Sequence, residues 1–94
     1  MKIVLLDRDG VINKERESYI KSASEWEPLE GSIEAIAALY QAGFKIFVIT
    51  NQSGLARGFF DSEALDAMHE KMCAMVVNAG AKISQIYYCP HHPD

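Results

Sequence analysis

Three mostly apolar runs of strand length, Ile3-Val4-Leu5-Leu6, Phe44-Lys45-Ile46-Phe47-Val48-Ile49 and about Ile83 to Tyr88, alternate along the chain with two stretches whose apolar residues recur at helical spacing. Short apolar runs rich in β-branched and aromatic residues predict buried strands. After the first run, Ile33, Ile36, Ala37 and Tyr40 fall at i, i+3, i+4 and i+7, and the stripe stops at Gly43. That spacing predicts a helix with one apolar face, ended by a glycine cap. After the second run, Asp61 is a good N-cap, Glu63 sits in the positive first turn, and the helix ends near Asn78-Ala79-Gly80. Leu65, Met68, Met72, Val76 and Ala79 mark its buried face. The methionines read as core filler rather than as a binding surface.

Strand, helix, strand, helix, strand predicts an α/β fold, a Rossmann-like parallel sheet of about three strands and two helices. Parallel crossovers are right-handed almost without exception, so two crossovers moving the same way across a sheet put both helices on one face. The other face is left bare, although all-parallel sheets are normally covered on both sides. A bare apolar face and the free edge of the first strand predict self-association. Between Asn13 and Pro28 lies a polar segment with Glu15, Arg16 and Glu17, predicted to form a flap at about residues 13–28 near the mouth of the site. No repeat, low-complexity tract or linker divides the chain, so residues 1–94 read as part of one domain.

Composition narrows the class of protein. With 49% hydrophobic and 23% charged residues the chain falls among soluble globular proteins rather than disordered ones. A formal net charge of −4 and the lack of a Lys/Arg cluster argue against nucleic acid as a partner. The apolar start is too short for a secretory h-region, and no run approaches membrane-spanning length, so no membrane partner is expected and the reading is cytoplasmic. Two cysteines, Cys73 and Cys89, make no disulfide framework, and Cys73 lies in the second helical pattern, where burial is expected.

The chemistry is concentrated where strands end. Asp7 falls at the end of the first run, followed by Arg8, Asp9 and Gly10. In open parallel sheets, ligands bind beyond the carboxyl ends of the strands. A carboxylate there can attack a phosphoryl group and form an aspartyl-phosphate. Anion must then meet anion, and Mg2+ suits a site offering one or two carboxylates and phosphate oxygens. Asp7 is therefore a candidate nucleophile and metal ligand, and Asp9 a candidate general acid and base. Gly10 would allow the sharp turn that aims both acids at one cleft. The plain alternative is that both acids are turn and cap residues, common after strands. The second run ends in Thr50-Asn51-Gln52-Ser53-Gly54, with Arg57 following. Hydroxyl, amide and loop N–H groups position a phosphate without adding negative charge, and an Arg fork matches its oxygens. Here the alternative is a polar loop with a surface Arg.

Asp7-x-Asp9-Gly10 with a strand ending in Thr50-Asn51 resembles the first two motifs of the haloacid dehalogenase superfamily of phosphatases. The dehalogenase and P-type ATPase branches of that superfamily usually lack the second acid. Thr50 to Gly58 is similar to the members acting on a heptose 1,7-bisphosphate, and histidinol-phosphate phosphatases are the runner-up. The resemblance implies Mg2+ at Asp7 and Asp9, and a small phosphorylated sugar as the substrate. It also implies substrate contacts from Arg8, Tyr19, Thr50, Asn51, Gln52, Ser53 and Arg57. It further implies that Cys89 and His91 supply two ligands of a structural Zn2+ whose other two ligands, a later Cys-x-Cys, come after residue 94. Read from the residues alone, Cys89 is equally a small buried residue and His91 a solvated loop residue. The resemblance places a phosphate-steadying Lys and a further metal-binding acid downstream as well. The 94 residues thus read as the first half of a phosphatase domain, and a non-catalytic fragment is the competing reading.

Overall fold

A computed structural model describes residues 2–14, 20–52, 58 and 60–89. Its elements run β1 (Lys2–Asp7), a single 3₁₀ turn (Ala23–Glu25), α1 (Ser32–Gln41), β2 (Phe44–Asn51), α2 (Ser62–Asn78) and β3 (Ile83–Cys89). The strands form one parallel sheet in the order β1-β2-β3, so β2 is central. This is the expected α/β fold, with each strand slightly longer than its apolar run. The extensions matter, because Asp7, Thr50 and Asn51 are paired strand residues rather than loop residues.

Alternation along the strands sorts side chains between two faces. On β2, Ile46, Val48 and Thr50 are buried. Ile46 and Val48 pack with Val4 and Leu6 of β1, Ile83 and Ile86 of β3, Ile36 and Ala37 of α1, and Leu65, Met68, Met72 and Val76 of α2. The opposite row carries Ile3, Leu5, Ile49 and Tyr87, which stay 43 to 61% exposed. Among the described residues one face is covered and the other bare, as two crossovers in one direction require.

The helix ends follow their sequence signals. Asp61 caps α2 by accepting the Ala64 N–H at 2.8 Å. At the other end Gly80 has a φ of 90°, and the Gly80 and Ala81 N–H groups donate to Val77 and Val76. That pairing is a Schellman closure, which needs the left-handed conformation glycine adopts without cost. Tyr40 departs from its predicted place, remaining 40% exposed while Leu39 is partly buried. A phenol keeps its polar end in water while its ring lies along the apolar surface.

The segment expected as a flap has a different character where it is described. Ile20 and Trp26 belong to the core, and Trp26 is fully buried. Lys71 of α2 donates to the carbonyls of Ala23 and Trp26 at 2.8 and 2.6 Å, tying the 3₁₀ turn to the helix. Farther back, Lys14 N–H donates to Glu27 and Leu29 N–H to Ile12, both at 2.9 Å. Residues 20–29 are thus docked at both ends, and the 15–19 portion lies outside the described residues. No helix among the described residues is long and apolar enough to cross a membrane.

Candidate active site

The loop after β1 closes on itself. The Arg8 carbonyl accepts N–H bonds from Val11, Ile12 and Asn13, and Gly10 N–H donates back to the Asn13 carbonyl at 2.8 Å. Gly10 carries the turn with a φ of 83°. Asn13 is thereby brought beside Asp9 and, on its other side, bridges to Pro28. The Ser32 hydroxyl, at the first residue of α1, donates to the Ile12 carbonyl at 2.7 Å. Strand, loop and helix start are locked together, so the acid on the loop has a fixed base.

Asp9 sits at the centre of a polar network. Its Oδ1 accepts from Arg8 Nη2 at 2.7 Å, Arg8 Nε at 3.1 Å and Asn13 Nδ2 at 2.9 Å, and its Oδ2 accepts from Gln52 Nε2 at 3.0 Å. Gln52 Nε2 also donates to Thr50 Oγ1 at 2.6 Å, which joins the end of β2 to the loop after β1. Arg8, Asn13, Thr50 and Gln52 are all buried, whereas Asp9 keeps about a quarter of its side chain, 27%, in contact with solvent. Four donors hold one carboxylate whose outer edge remains open.

Behind Asp9 the Arg8 guanidinium reaches α2. Its Nη1 lies 3.3 Å from His69 Nε2 and donates to Met68 Sδ at 3.6 Å. Arginine has only donors, so the imidazole nitrogen facing it must accept, and the His69 proton resides on Nδ1. Burial first, then the Arg8 charge, push His69 down to about 4, while Asp66 and Asp9 pull weakly the other way. His69 is neutral at physiological pH. Cys73, one turn on, has its thiol pushed up by burial, which removes it as an activated nucleophile.

Asp7 has the opposite surroundings. It ends β1 in the row of Ile3 and Leu5, it is exposed, and among the described residues no hydrogen bond engages its carboxylate. Asn51, at the end of β2, is also exposed. The structure therefore brings together Arg8, Asp9, Thr50 and Gln52, and places Asp7 and Asn51 at the same carboxyl-terminal edge of the sheet. Arg8, expected to touch substrate, is 1% exposed and spends its donors inside the protein. Tyr19, Ser53, Arg57 and His91 lie outside the described residues, as does the side chain of Cys89. The described residues hold no group of three or more His, Cys, Asp or Glu side chains placed for a metal ion, and the side chains of the expected zinc pair lie outside them. The donor set that is present, two carboxylates at one strand end, consists of hard oxygen ligands of the kind Mg2+ prefers.

Sequence reasoning missed Asn13 and His69. Asn13 lies four residues after Asp9 inside the motif, a spacing that a tight turn can close. His69 lies four residues after Leu65 and beside Met68, on the buried stripe of α2, where a polar residue calls for a partner.

A parallel sheet with paired acids at the end of its first strand, joined through Gln52 to a Thr at the end of the second, has the form of a haloacid dehalogenase-type phosphatase. Residues 2–92 match the family described as polynucleotide kinase 3 phosphatase, and the chain belongs to that family. Among curated proteins it is 50% identical over 94 residues to D-glycero-beta-D-manno-heptose-1,7-bisphosphate 7-phosphatase of Pseudomonas putida, covering all of this chain and 54% of that one. It is 51% identical over 92 residues to the Pseudomonas aeruginosa protein of the same name, covering 98% and 52%. Among solved structures, the D,D-heptose 1,7-bisphosphate phosphatase of Bordetella bronchiseptica, complexed with magnesium and phosphate, superposes with a TM-score of 0.97 at 48% identity, over all of this chain and 52% of that one. The chain spans about half the length of the curated relatives it matches.

Proposed function

We propose that the chain carries the nucleophile-bearing part of a Mg2+-dependent phosphatase that removes the 7-phosphate of D-glycero-D-manno-heptose 1,7-bisphosphate and leaves the 1-phosphate. The observation that carries this reading is the contrast between the two acids. Asp7 is exposed and unengaged among the described residues, which suits a nucleophile. Asp9 is held by four hydrogen bonds yet open at its edge, which suits a group that must present a proton at a fixed place. Relatives 50 and 51% identical over nearly the whole chain bear the name of that activity.

In this mechanism an Asp7 carboxylate oxygen attacks the phosphorus and the bond from phosphorus to the sugar oxygen breaks. Asp9 gives its proton to that oxygen as it leaves. Water then attacks the aspartyl-phosphate, passes a proton to Asp9 and releases inorganic phosphate, so both acids return to their starting states. The unengaged Asp7 carboxylate would hold the magnesium, which when bound neutralises the charge of the approaching phosphate, and the free lone pair of Asp9 is left for the proton. Thr50 and Gln52 keep Asp9 in place from the neighbouring strand, and Asn51 extends the polar rim on which the phosphate would rest.

Phosphate release tests the proposal, measured with Mg2+ on heptose 1,7-bisphosphate, histidinol phosphate and a 3′-phosphorylated oligonucleotide for a full-length protein carrying these residues. Turnover of the heptose substrate, with kcat/KM at least tenfold above the other two, is expected. Preference for histidinol phosphate would replace the substrate, and preference for the oligonucleotide would overturn the small-sugar reading.

A further inference from the structure

We infer that His69 is a positioning residue of the phosphoryl-transfer site, acting through Arg8 to fix which oxygen of Asp9 exchanges the proton. The inference rests on the reading of Asp9 as general acid and base, and it concerns a residue on a helix that offers no group to the substrate.

A guanidinium is planar and rigid, so fixing one of its nitrogens fixes the rest. A free Arg fork favours two parallel bonds, one to each carboxylate oxygen. Here Nε and Nη2 both converge on Asp9 Oδ1, at 3.1 and 2.7 Å, because Nη1 is held at the other end between His69 Nε2 and Met68 Sδ. Asn13 adds a third donor to the same oxygen. Oδ1 is saturated. Oδ2 carries a single bond, from Gln52, and keeps a free lone pair. The geometry thus assigns Oδ2 as the atom that delivers and collects the proton, and His69 as the anchor that keeps the guanidinium from swinging to bridge both oxygens.

This arrangement holds only while the imidazole accepts at Nε2. The charged and titratable groups around His69 are Arg8 and Asp9 from the loop after β1, Asp66, Glu70 and Cys73 from its own helix, and Tyr88 from β3, whose ring centroid is 6.4 Å from that of His69. Arg8 is the one of these in direct polar contact with Nε2. Burial keeps the ring in the neutral form that the contact requires.

Two measurements on the purified protein test the inference. Nitrogen NMR of the imidazole should show Nε2 unprotonated and Nδ1 carrying the proton; protonation at Nε2 in the wild-type protein overturns the proposal without any variant. His69→Leu removes the acceptor at similar volume, and His69→Gln keeps an acceptor oxygen within reach of Arg8. His69→Leu should lower kcat roughly ten- to a hundredfold, as loss of an outer-shell partner typically does, with KM within about twofold. His69→Gln should recover most of that loss. A purely structural His69 would instead lower the amount of folded protein and leave the kcat of the folded fraction unchanged, and that result sinks the proposal. The Arg8 Nε–H resonance provides a readout independent of turnover: protected from exchange in wild type and His69→Gln, unprotected in His69→Leu. If the full-length wild type lacks phosphatase activity, the proposed function fails, while the tautomer and the Arg8 resonance still decide whether His69 anchors the guanidinium.

Discussion

The two faces of the sheet end in different chemistry. On the covered face the apolar rows finish in buried Thr50, and beyond them lies a network in which each polar group holds another: His69, Arg8, Asp9, Asn13 and Gln52. On the bare face the row Ile3, Leu5 finishes in Asp7, which nothing among the described residues restrains. Helix cover decides the difference. Where α2 lies over the strands, water is excluded and polar groups must find partners. Where no helix lies, a carboxylate stays hydrated and free to react. Two acids two residues apart thus stand in different surroundings, one held in the network and one free, and the proposed division between nucleophile and acid–base group rests on that difference.

Substituting each acid by its amide tests this division most severely. On the proposed mechanism, Asp7→Asn in the full-length protein should reduce turnover of heptose 1,7-bisphosphate to background while leaving the circular dichroism spectrum unchanged, because no bond among the described residues depends on it. Asp9→Asn should cost roughly a hundred- to ten-thousandfold in kcat, the range of a general acid–base group. It should also lower the thermal midpoint, because an amide nitrogen would be turned toward Arg8 or Gln52. If the two variants were equally stable and equally inactive, the assignment of one free and one restrained acid would be wrong.

Packing gives the next contrast within a single strand. Ile46 is fully buried under the helices and Ile49, three residues on, is 43% exposed on the bare face. Ile46→Ala should cost about 2–5 kcal/mol by denaturant unfolding, the range for emptying a packed site. Ile49→Ala should cost about 1 kcal/mol or less, because half its surface never left water. Equal losses would show that the open face is covered in solution.

How much of this was readable in the residues follows the same division. The three strands, both helices, the Asp61 cap and the Asp7-Arg8-Asp9-Gly10 turn are local signals, a period of two or 3.6 or a fixed offset, and each predicted its element to within two residues. The bare face followed from strand order alone. Trp26 and Ile20 were hidden, because they sit in an irregular segment without periodicity and become core only when Lys71 and the bridge to Asn13 dock that segment. Arg8 was misleading for a related reason. Only the resemblance put it at the substrate, and only the path of the chain shows that its fork turns inward to α2.

Acid should unbalance the covered side first. The His69 pKa is lowered to about 4 in the folded chain from its usual 6.5, so between those values the unfolded state binds a proton that the folded state refuses. Stability therefore rises with pH across that window: the contribution is complete above pH 6.5 and is lost as pH falls toward 4. The loss amounts to up to roughly 3 kcal/mol and begins above the range in which ordinary carboxylates titrate. Urea unfolding at half-unit steps from pH 7.5 to 5 should show the decline, and His69→Gln should flatten it. A wild-type profile already flat across this range would mean that the imidazole is not held neutral behind Arg8.

The smallest expected effect concerns the edge of the covered side, where Lys71 ties the 3₁₀ turn to α2. Its ammonium donates to two backbone carbonyls, Ala23 and Trp26, and its stem lies partly buried between them. Lys71→Met keeps the stem and removes the charge and both donors. The carbonyls can turn to water at the surface, so the cost should stay near the lower end for charged hydrogen bonds, about 1–2 kcal/mol. The loss should be local. Hydrogen exchange should quicken at Trp26 N–H, which closes the turn on Ala23, and remain unchanged at Ile46 and Val48 in the sheet. Exchange that quickened equally in both places would show the turn to be part of the cooperative core, and the boundary between a rigid covered face and a docked segment would have to be redrawn.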